Sequence, residues 1–282
     1  MKKDKNILRG KAGFEEYYSE IFNERWEKLK QAFLSEKENV EFKIKDAESY
    51  FLDSASIIAA LCLPLKNAEK ILDLCAAPGG KTIVLAARMK ESALLYSNER
   101  SSERKKRLLT VVNKCLPPKI SERVEVSCSD GAVWCTKQSE CYDAVLLDAP
   151  CSSERHVYLD PKYLNEWSPS RIKTVAMEQW ALLSSAYRLL KPRGFLVYST
   201  CALSPVENDL MMEKLIKKYN KSGKNFEFTA PAPDFSEIQD FVKFNPPEYE
   251  KTQYGYQIFP DVQNGAGPIY FSIIRKNNSI FS

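Results

Sequence analysis

From Lys70 to Tyr219 the chain repeats one pattern, a short apolar run followed by a longer stretch whose apolar residues recur at helical spacing. Apolar runs without internal alternation suit strands buried on both faces, and strands separated by helices pair in parallel. The runs predict strands over residues 71–74, 94–97, 124–128, 144–147 and 195–198. Helices are expected over 81–90, 102–115 and 171–190, after a first one over 54–63. A last helix is expected over 205–219, with Pro205 in its first turn. The expected fold class is α/β, with a mostly parallel sheet covered on both faces. Past Asn220, aromatic-rich runs over 226–229, 255–259 and 268–275 predict an antiparallel C-terminal edge, with 230–250 a long surface loop.

Composition narrows the class. A chain of 282 residues, 44% apolar and 28% charged, suits one large soluble domain or one domain with a small appendage. No apolar run is long enough to cross a bilayer, and the start lacks the apolar stretch of a secretory signal. Eight cysteines without an export signal favour reduced thiols in a cytoplasmic setting, or a mitochondrial one if the source is eukaryotic. No CxxC pair occurs and His156 is the single histidine, so no metal site is expected. A net charge of +4 permits nucleic-acid binding without demonstrating it. Basic residues cluster at Lys2, Lys3, Lys5, Arg9 and Lys11, at Arg104–Arg107, and at Lys214, Lys217, Lys218, Lys221 and Lys224. Each cluster is either a solvated helix face or a phosphate contact.

The segment Cys75-Ala76-Ala77-Pro78-Gly79-Gly80-Lys81 joins the first parallel strand to its helix. A glycine turn there lets a ligand approach the backbone and leaves helix N–H groups free for an acceptor, as in a Rossmann-type crevice. Glu99 ends the second strand, where a ribose-binding carboxylate belongs; Asp130-Gly131 ends the third and Asp148 the fourth. Three acids suit a cofactor that offers hydroxyls and a cationic or amino group and carries no bulky phosphates. S-adenosylmethionine fits that description better than a nicotinamide dinucleotide. The competing reading makes the acids helix caps or turn residues. Lys81 could equally be an ordinary first-turn residue, and Arg104 could snorkel from its helix.

Two cysteines follow apolar strands, Cys151 in Asp148-Ala149-Pro150-Cys151 and Cys201 in Ser199-Thr200-Cys201. Ligands of such sheets bind at the carboxyl ends of the strands, so both thiols reach one edge. Cys62, Cys115, Cys128, Cys135 and Cys141 read as small buried hydrophobes, and Cys75 as structural. His156 reads as shaping a loop, and Trp134, Trp167 and Trp180 as core.

The motifs at 72–82, Ser97-Asn98-Glu99, Asp130-Gly131, 147–152, 198–203 and Glu207-Asn208 resemble the Nop/Sun (RsmB-type) RNA cytosine-5 methyltransferases. Glu154-Arg155-His156 and the run 267–271 look most like the short, mitochondrial-ribosome-type branch. The resemblance covers roughly residues 50–275 and implies a class I S-adenosylmethionine-dependent methyltransferase. It implies Cys201 as the nucleophile that adds to cytosine carbon 6, and Cys151 as the group assisting release. Asp148 would contact base and cofactor. Cys75–Lys81, Glu99, Arg104, Asp130 and Gly131 would hold S-adenosylmethionine.

The expected division is an N-terminal helical appendage, residues 1–48, built on Tyr17, Ile21, Trp26, Leu29 and Phe33, and a methyltransferase catalytic domain, 49–282. The expected substrate is RNA, ribosomal ahead of transfer RNA, and the chain is expected to be monomeric and away from membranes. No NusB-like or PUA-like module is evident, which assigns target selection to the core, the short N-terminal helices or a partner protein. Lys191-Pro192-Arg193-Gly194 replaces the more usual Pro-Gly-Gly turn, a departure expected to be harmless. Two other readings stand beside this one. In the DNA cytosine-5 pattern Cys151 would attack; in a catalytically silent RNA-binding ribosome-assembly factor neither thiol would.

Overall fold

A computed structural model describes residues 9–37, 39–262 and 265–279. Lys2, Lys3 and Lys5 of the first basic cluster lie outside the described residues. Helices α1 (Gly10–Phe22) and α2 (Arg25–Leu34) come first, followed by strands β1 (Asn39–Phe42) and β2 (Tyr50–Asp53) and helix α3 (Ser54–Leu61). Then come β3 (Lys70–Asp73), α4 (Gly80–Arg88), β4 (Leu94–Asn98), α5 (Ser102–Cys115), α6 (Pro118–Ser121) and β5 (Val124–Ser127). The second half holds β6 (Tyr142–Asp148), α7 (Glu154–Leu159), α8 (Pro161–Glu166), α9 (Pro169–Leu189), β7 (Leu190–Thr200) and α10 (Asp209–Tyr219). Strands β8 (Phe226–Phe228), β9 (Glu250–Lys251), β10 (Tyr256–Ile258) and β11 (Ile269–Lys276) close the chain.

The main sheet runs β5-β4-β3-β6-β7-β11-β10-β9, with β8 also on β11. Strands β5 to β7 pair in parallel, whereas β11 is antiparallel to β7 and β10. Successive side chains of a strand face opposite sides, and this alternation splits the core in two. Ile71, Ala144, Leu146 and Val197 pack with α3, α4 and α5 on one face. Leu72, Val145, Leu147 and Tyr198 pack with α9 and α10 on the other. The chain runs β3, β4, β5 outward and then returns to β6 on the other flank of β3. The carboxyl ends of β3 and β6 therefore flank the crevice where open α/β sheets bind ligands.

Two local features differ from expectation, and a third marks the segment 191–194. Helix α10 begins at Asp209 and not at Pro205, because the side chain of Asn208 is drawn away from the helix. Asn208 accepts from Thr200 Oγ1 at 2.7 Å and donates to Ala202 O at 2.9 Å, with φ −111° and ψ −107°. Residues 39–42 are a strand paired with 50–53, so the 48/49 division falls inside a hairpin. Arg193 takes φ 65°, a left-handed conformation that suits glycine, in the irregular start of β7 where the sequence departs from Pro-Gly-Gly.

The N-terminal helices build a third apolar cluster. Phe14, Tyr18, Trp26, Leu29 and Phe33 pack with Val157 of α7, Leu164 of α8, Trp167 and Leu203. Leu203 lies just past Cys201, so these helices form a wall beside the cysteine loops.

Candidate active site

Two adjoining cavities open at the carboxyl ends of the parallel strands. The larger, about 520 Å³, falls within the range of small-molecule sites, about 300–1,000 Å³. Cys75, Ala77, Pro78, Glu99, Arg104, Asp130, Gly131, Asp148, Cys151 and Cys201 all line it. The smaller, about 240 Å³, is lined by Ala76, Gly80, Lys81, Tyr50 and Phe51, and shares Cys75, Ala77, Pro78 and Asp148 with the first. Gly79 borders neither cavity. It caps α4 at φ 117°, and a Cβ there would lie 2.9 Å from Val111 Cγ1 of α5, so its glycine serves helix packing.

On the β4 side, Glu99 is buried and its Oε1 accepts the Ser101 N–H at 2.9 Å. Arg104 lies 3.5 Å from the other oxygen of Glu99 and donates to Ala77 O at 2.5 Å, pinning the glycine segment to the strand end. Asp130 accepts the Ala132 N–H at 3.0 Å, capping the short helical turn Gly131–Thr136. Glu99 and Asp130 thus stabilise turns and face the cavity at once. Asn98 ties neighbouring ends together, donating to Leu74 O and Ser129 O and accepting from Ser127 and Ser129.

Sequence reasoning passed over Asp73, the one charged residue in the run 71–74. It is buried, and burial pushes its carboxyl up to about 7, against the Thr82 hydroxyl that donates to Oδ2 at 2.7 Å. Its Oδ1 has no hydrogen-bond partner among the described residues. A buried acceptor without a donor is costly, and one beside the glycine segment suits a ligand's amino group. With Glu99 for hydroxyls, these residues fit the cofactor inferred from the sequence.

On the β6–β7 side the sulfurs of Cys151 and Cys201 lie 2.7 Å apart. Ser153 Oγ sits 3.4 Å from the first and 3.3 Å from the second. The hydrogen bond from Cys151 lowers the Cys201 thiol below its ordinary 9.0, against burial and with help from Ser153. The same hydrogen bond, with burial, holds Cys151 well above 9.0. Either sulfur can donate across this contact, so the pair shares one proton when one of the two ionises. Ser153 holds its place at φ 55°, a left-handed conformation that strains a residue with a Cβ. Asp148 accepts from Lys81 Nζ at 2.6 Å and from Ser199 Oγ at 2.7 Å, so each carboxylate oxygen has a donor. Burial lowers the Lys81 ammonium, but Asp148 more than offsets this and the net direction is up.

Other sequence-singled residues lie elsewhere. Cys62 and Cys115 are buried, and burial pushes Cys62 up to about 12. Cys128 is exposed rather than buried, because β5 ends at Ser127 and releases it towards solvent. Cys75, Cys135 and Cys141 are half-buried. His156 is exposed and rests on the Tyr163 ring, 5.1 Å between centroids. Trp167 is buried; Trp134 and Trp180 pack partly buried against the core. No helix of the described residues is long and apolar enough to cross a membrane.

Residues 60–265 match the family profile described as 16S rRNA methyltransferase RsmB/F. The chain belongs to the RsmB/F family. A 5-cytosine rRNA methyltransferase NSUN4 from Mus musculus is 32% identical over 80% of this chain and 60% of its own. The Xenopus laevis protein of that name is 28% identical, over 79% and 55%. The ribosomal RNA small subunit methyltransferase F of Aliivibrio salmonicida is 33% identical, over 82% and 46%. The chain thus spans about half the length of the curated relatives it matches. A methyltransferase homolog from Pyrococcus horikoshii superposes with a TM-score of 0.68 at 21% identity, covering 93% of this chain and 94% of that one. NSun6 from the same organism, solved with SFG, gives 0.64 at 22%, covering 83% and 54%. These two likenesses show the fold, the Rossmann-like methyltransferase sheet expected from the sequence. In this RsmB/F member the strand ends, the glycine segment and both cysteines fall within the matched residues.

Proposed function

We propose that this chain is an S-adenosylmethionine-dependent RNA cytosine-5 methyltransferase, acting on ribosomal RNA in preference to transfer RNA. The observation that carries the reading is the sulfur pair, 2.7 Å apart in a cavity that also holds Glu99, Asp130 and Asp148. The names of the relatives favour ribosomal RNA.

S-adenosylmethionine, when bound, supplies an electrophilic methyl carbon. Glu99 and Asp130 would hold its hydroxyls and polar edge, Asp73 its amino group, and Arg104 would keep the glycine segment in place. Carbon 5 of cytosine is too weak a nucleophile to take that methyl unaided. Addition of the Cys201 thiolate to carbon 6 moves an electron pair towards carbon 5 and the ring nitrogen, the covalent route that splits one hard step into easier ones. The Asp148–Lys81 pair is placed for the polar edge of the ring: the carboxylate accepts from the exocyclic amine, and the ammonium offsets developing negative charge. Once carbon 5 has bonded the methyl, loss of its proton to a base and elimination of the Cys201 sulfur as thiolate restore the aromatic ring. Cys151 is the neighbouring group placed to assist.

The opposite assignment, with Cys151 attacking, is disfavoured by the Thr200-Cys201 motif. The test is transfer of labelled methyl to RNA, scored as 5-methylcytosine. Cys201→Ala should abolish it, and Cys151→Ala should accumulate a covalent protein–RNA adduct on denaturing gels. Full activity in Cys201→Ala overturns the nucleophile. Absence of methyl transfer together with absence of calorimetric S-adenosylmethionine binding would leave a silent assembly factor.

A further inference from the structure

Behind the thiols, two buried carboxylates join the cysteine loops in opposite directions. The backbone N–H of Ser152, next to Cys151, donates to Glu207 Oε2 at 2.9 Å, a carboxylate from the Cys201 side. In return Glu154, from the Cys151 side, accepts the backbone N–H of Leu203 at 3.0 Å. The Ser152 hydroxyl lies in hydrogen-bond contact with Oε1 of both carboxylates. Gln179 of α9 donates to Glu207 Oε2 at 2.8 Å and to Pro150 O at 2.9 Å. Tyr18 of α1 donates its hydroxyl to Glu154 Oε1 at 2.5 Å.

Hydrogen-bond direction settles where the protons sit. A serine hydroxyl has one proton and cannot donate to both acids. Glu154 receives donors at both oxygens, Tyr18 at one and Leu203 at the other, so it is the acceptor. The remaining contact, between Glu207 Oε1 and Ser152 Oγ, closes when Glu207, whose Oε1 meets no other donor among the described residues, carries a proton and donates it. Glu207 then donates to Ser152, and Ser152 to Glu154. Burial acts in the same direction, raising Glu154 and pushing Glu207 up to about 7.

We propose that Glu154 and Glu207 form a one-proton positioning clasp that fixes the separation of the Cys151 and Cys201 sulfurs, latched to helix α1 by Tyr18. The inference rests on the reading of these sulfurs as the reacting pair. Neither carboxylate touches a sulfur; each acts through the backbone of the loop it holds.

The probe is phenylarsine oxide on the full chain. It condenses with two thiols, forming two arsenic–sulfur bonds and releasing one water, only where the sulfurs are close. Cys151→Ala supplies the blank for the other cysteines. Glu154→Gln sets an amide donor among donors and should slow capture about tenfold, the scale of one lost hydrogen bond. Tyr18→Phe should slow it about threefold, by loosening the same acceptor. Glu207→Gln places an amide N–H where the acid holds its proton and should capture within about twofold of the parent chain. Cooperative melting checks each variant, and Tyr18→Phe decides the matter if Glu154→Gln fails to fold. Capture at the parental rate in both Glu154→Gln and Tyr18→Phe overturns the clasp, as does loss of capture in Glu207→Gln as deep as in Glu154→Gln. Normal capture in a chain that methylates no RNA would sink the enzymatic reading and leave the clasp standing.

Discussion

The two flanks of the crevice are built by different means. The β3–β4–β5 flank, with Glu99, Arg104, Asp130 and Asn98, is held by hydrogen bonds between neighbouring strand ends and the turns that follow them. The β6–β7 flank, with Cys151 and Cys201, is held from far along the chain. Glu154 and Glu207 brace it from within, and α1 and α2 pack against it from outside. One flank is the ordinary output of a strand–turn–helix repeat. The other depends on residues that repeat does not place. A perturbation of α1 and α2 should therefore reach the thiols and spare the cofactor residues.

The largest expected effect tests that separation. Trp26 is buried among Phe14, Tyr18 and Phe33. Trp26→Ala should cost about 3–5 kcal/mol in urea melts. Arsenical capture should fall, while calorimetric S-adenosylmethionine affinity stays within about twofold. An equal fall in affinity would break the comparison.

A smaller effect comes from pH. The Glu207 carboxyl, raised from 4.5 to about 7, binds a proton in the folded chain that the unfolded chain releases near 4.5. Its contribution to stability is full below 4.5 and is lost as pH rises to about 7. Asp73, raised from 3.8 to about 7 on the other flank, has the same sign. The parental pH profile therefore mixes both flanks. Ser152, Glu154 and Gln179 face Glu207, and Glu207→Gln removes its titration alone. That variant should gain about 2–3 kcal/mol on the parent between about pH 5 and pH 8. A difference that does not change with pH would place the shared proton elsewhere.

On the opposite flank, Glu99→Ala should weaken S-adenosylmethionine by at least about tenfold, the scale of a hydrogen bond to a charged group, without slowing arsenical capture. Coupled loss of both would mean one flank where the geometry shows two. The smallest effect is expected at Ser153. Ser153→Gly relieves a left-handed serine and should raise stability by about 1 kcal/mol. It also removes a hydroxyl from both sulfurs, so the Cys201 thiol should titrate higher in alkylation-rate profiles. A thiol that titrates unchanged would show that Cys151 alone sets the ionisation.

The difference between the flanks also explains what could be read from the sequence. Strands 71–74, 94–97 and 144–147, the glycine segment and the acids at strand ends followed from local periodicity and turn chemistry, which short windows carry. Both cysteines were legible because each follows a strand. Glu154 and Glu207 were visible only as letters beside the cysteine motifs. Their meaning depends on a hydroxyl that lies between them after the loops have folded. The helical spacing picked out Tyr17 and passed over Tyr18, whose hydroxyl contact with Glu154 spans a separation that no periodicity reports. The start of α10 was misplaced because a proline rule favoured Pro205, while the side-chain bonds of Asn208 decided the boundary.

Tyr17 bonds Ser204, Tyr18 bonds Glu154, and Arg155 donates to Ser35 O. Helices α1 and α2 therefore do not behave as a detachable cassette. A version trimmed at residue 49 would open the Glu154–Glu207 pair to water on one side, and grafting α1 and α2 from a relative would keep the full spacing of the thiols only if the graft carried a phenol at the position of Tyr18.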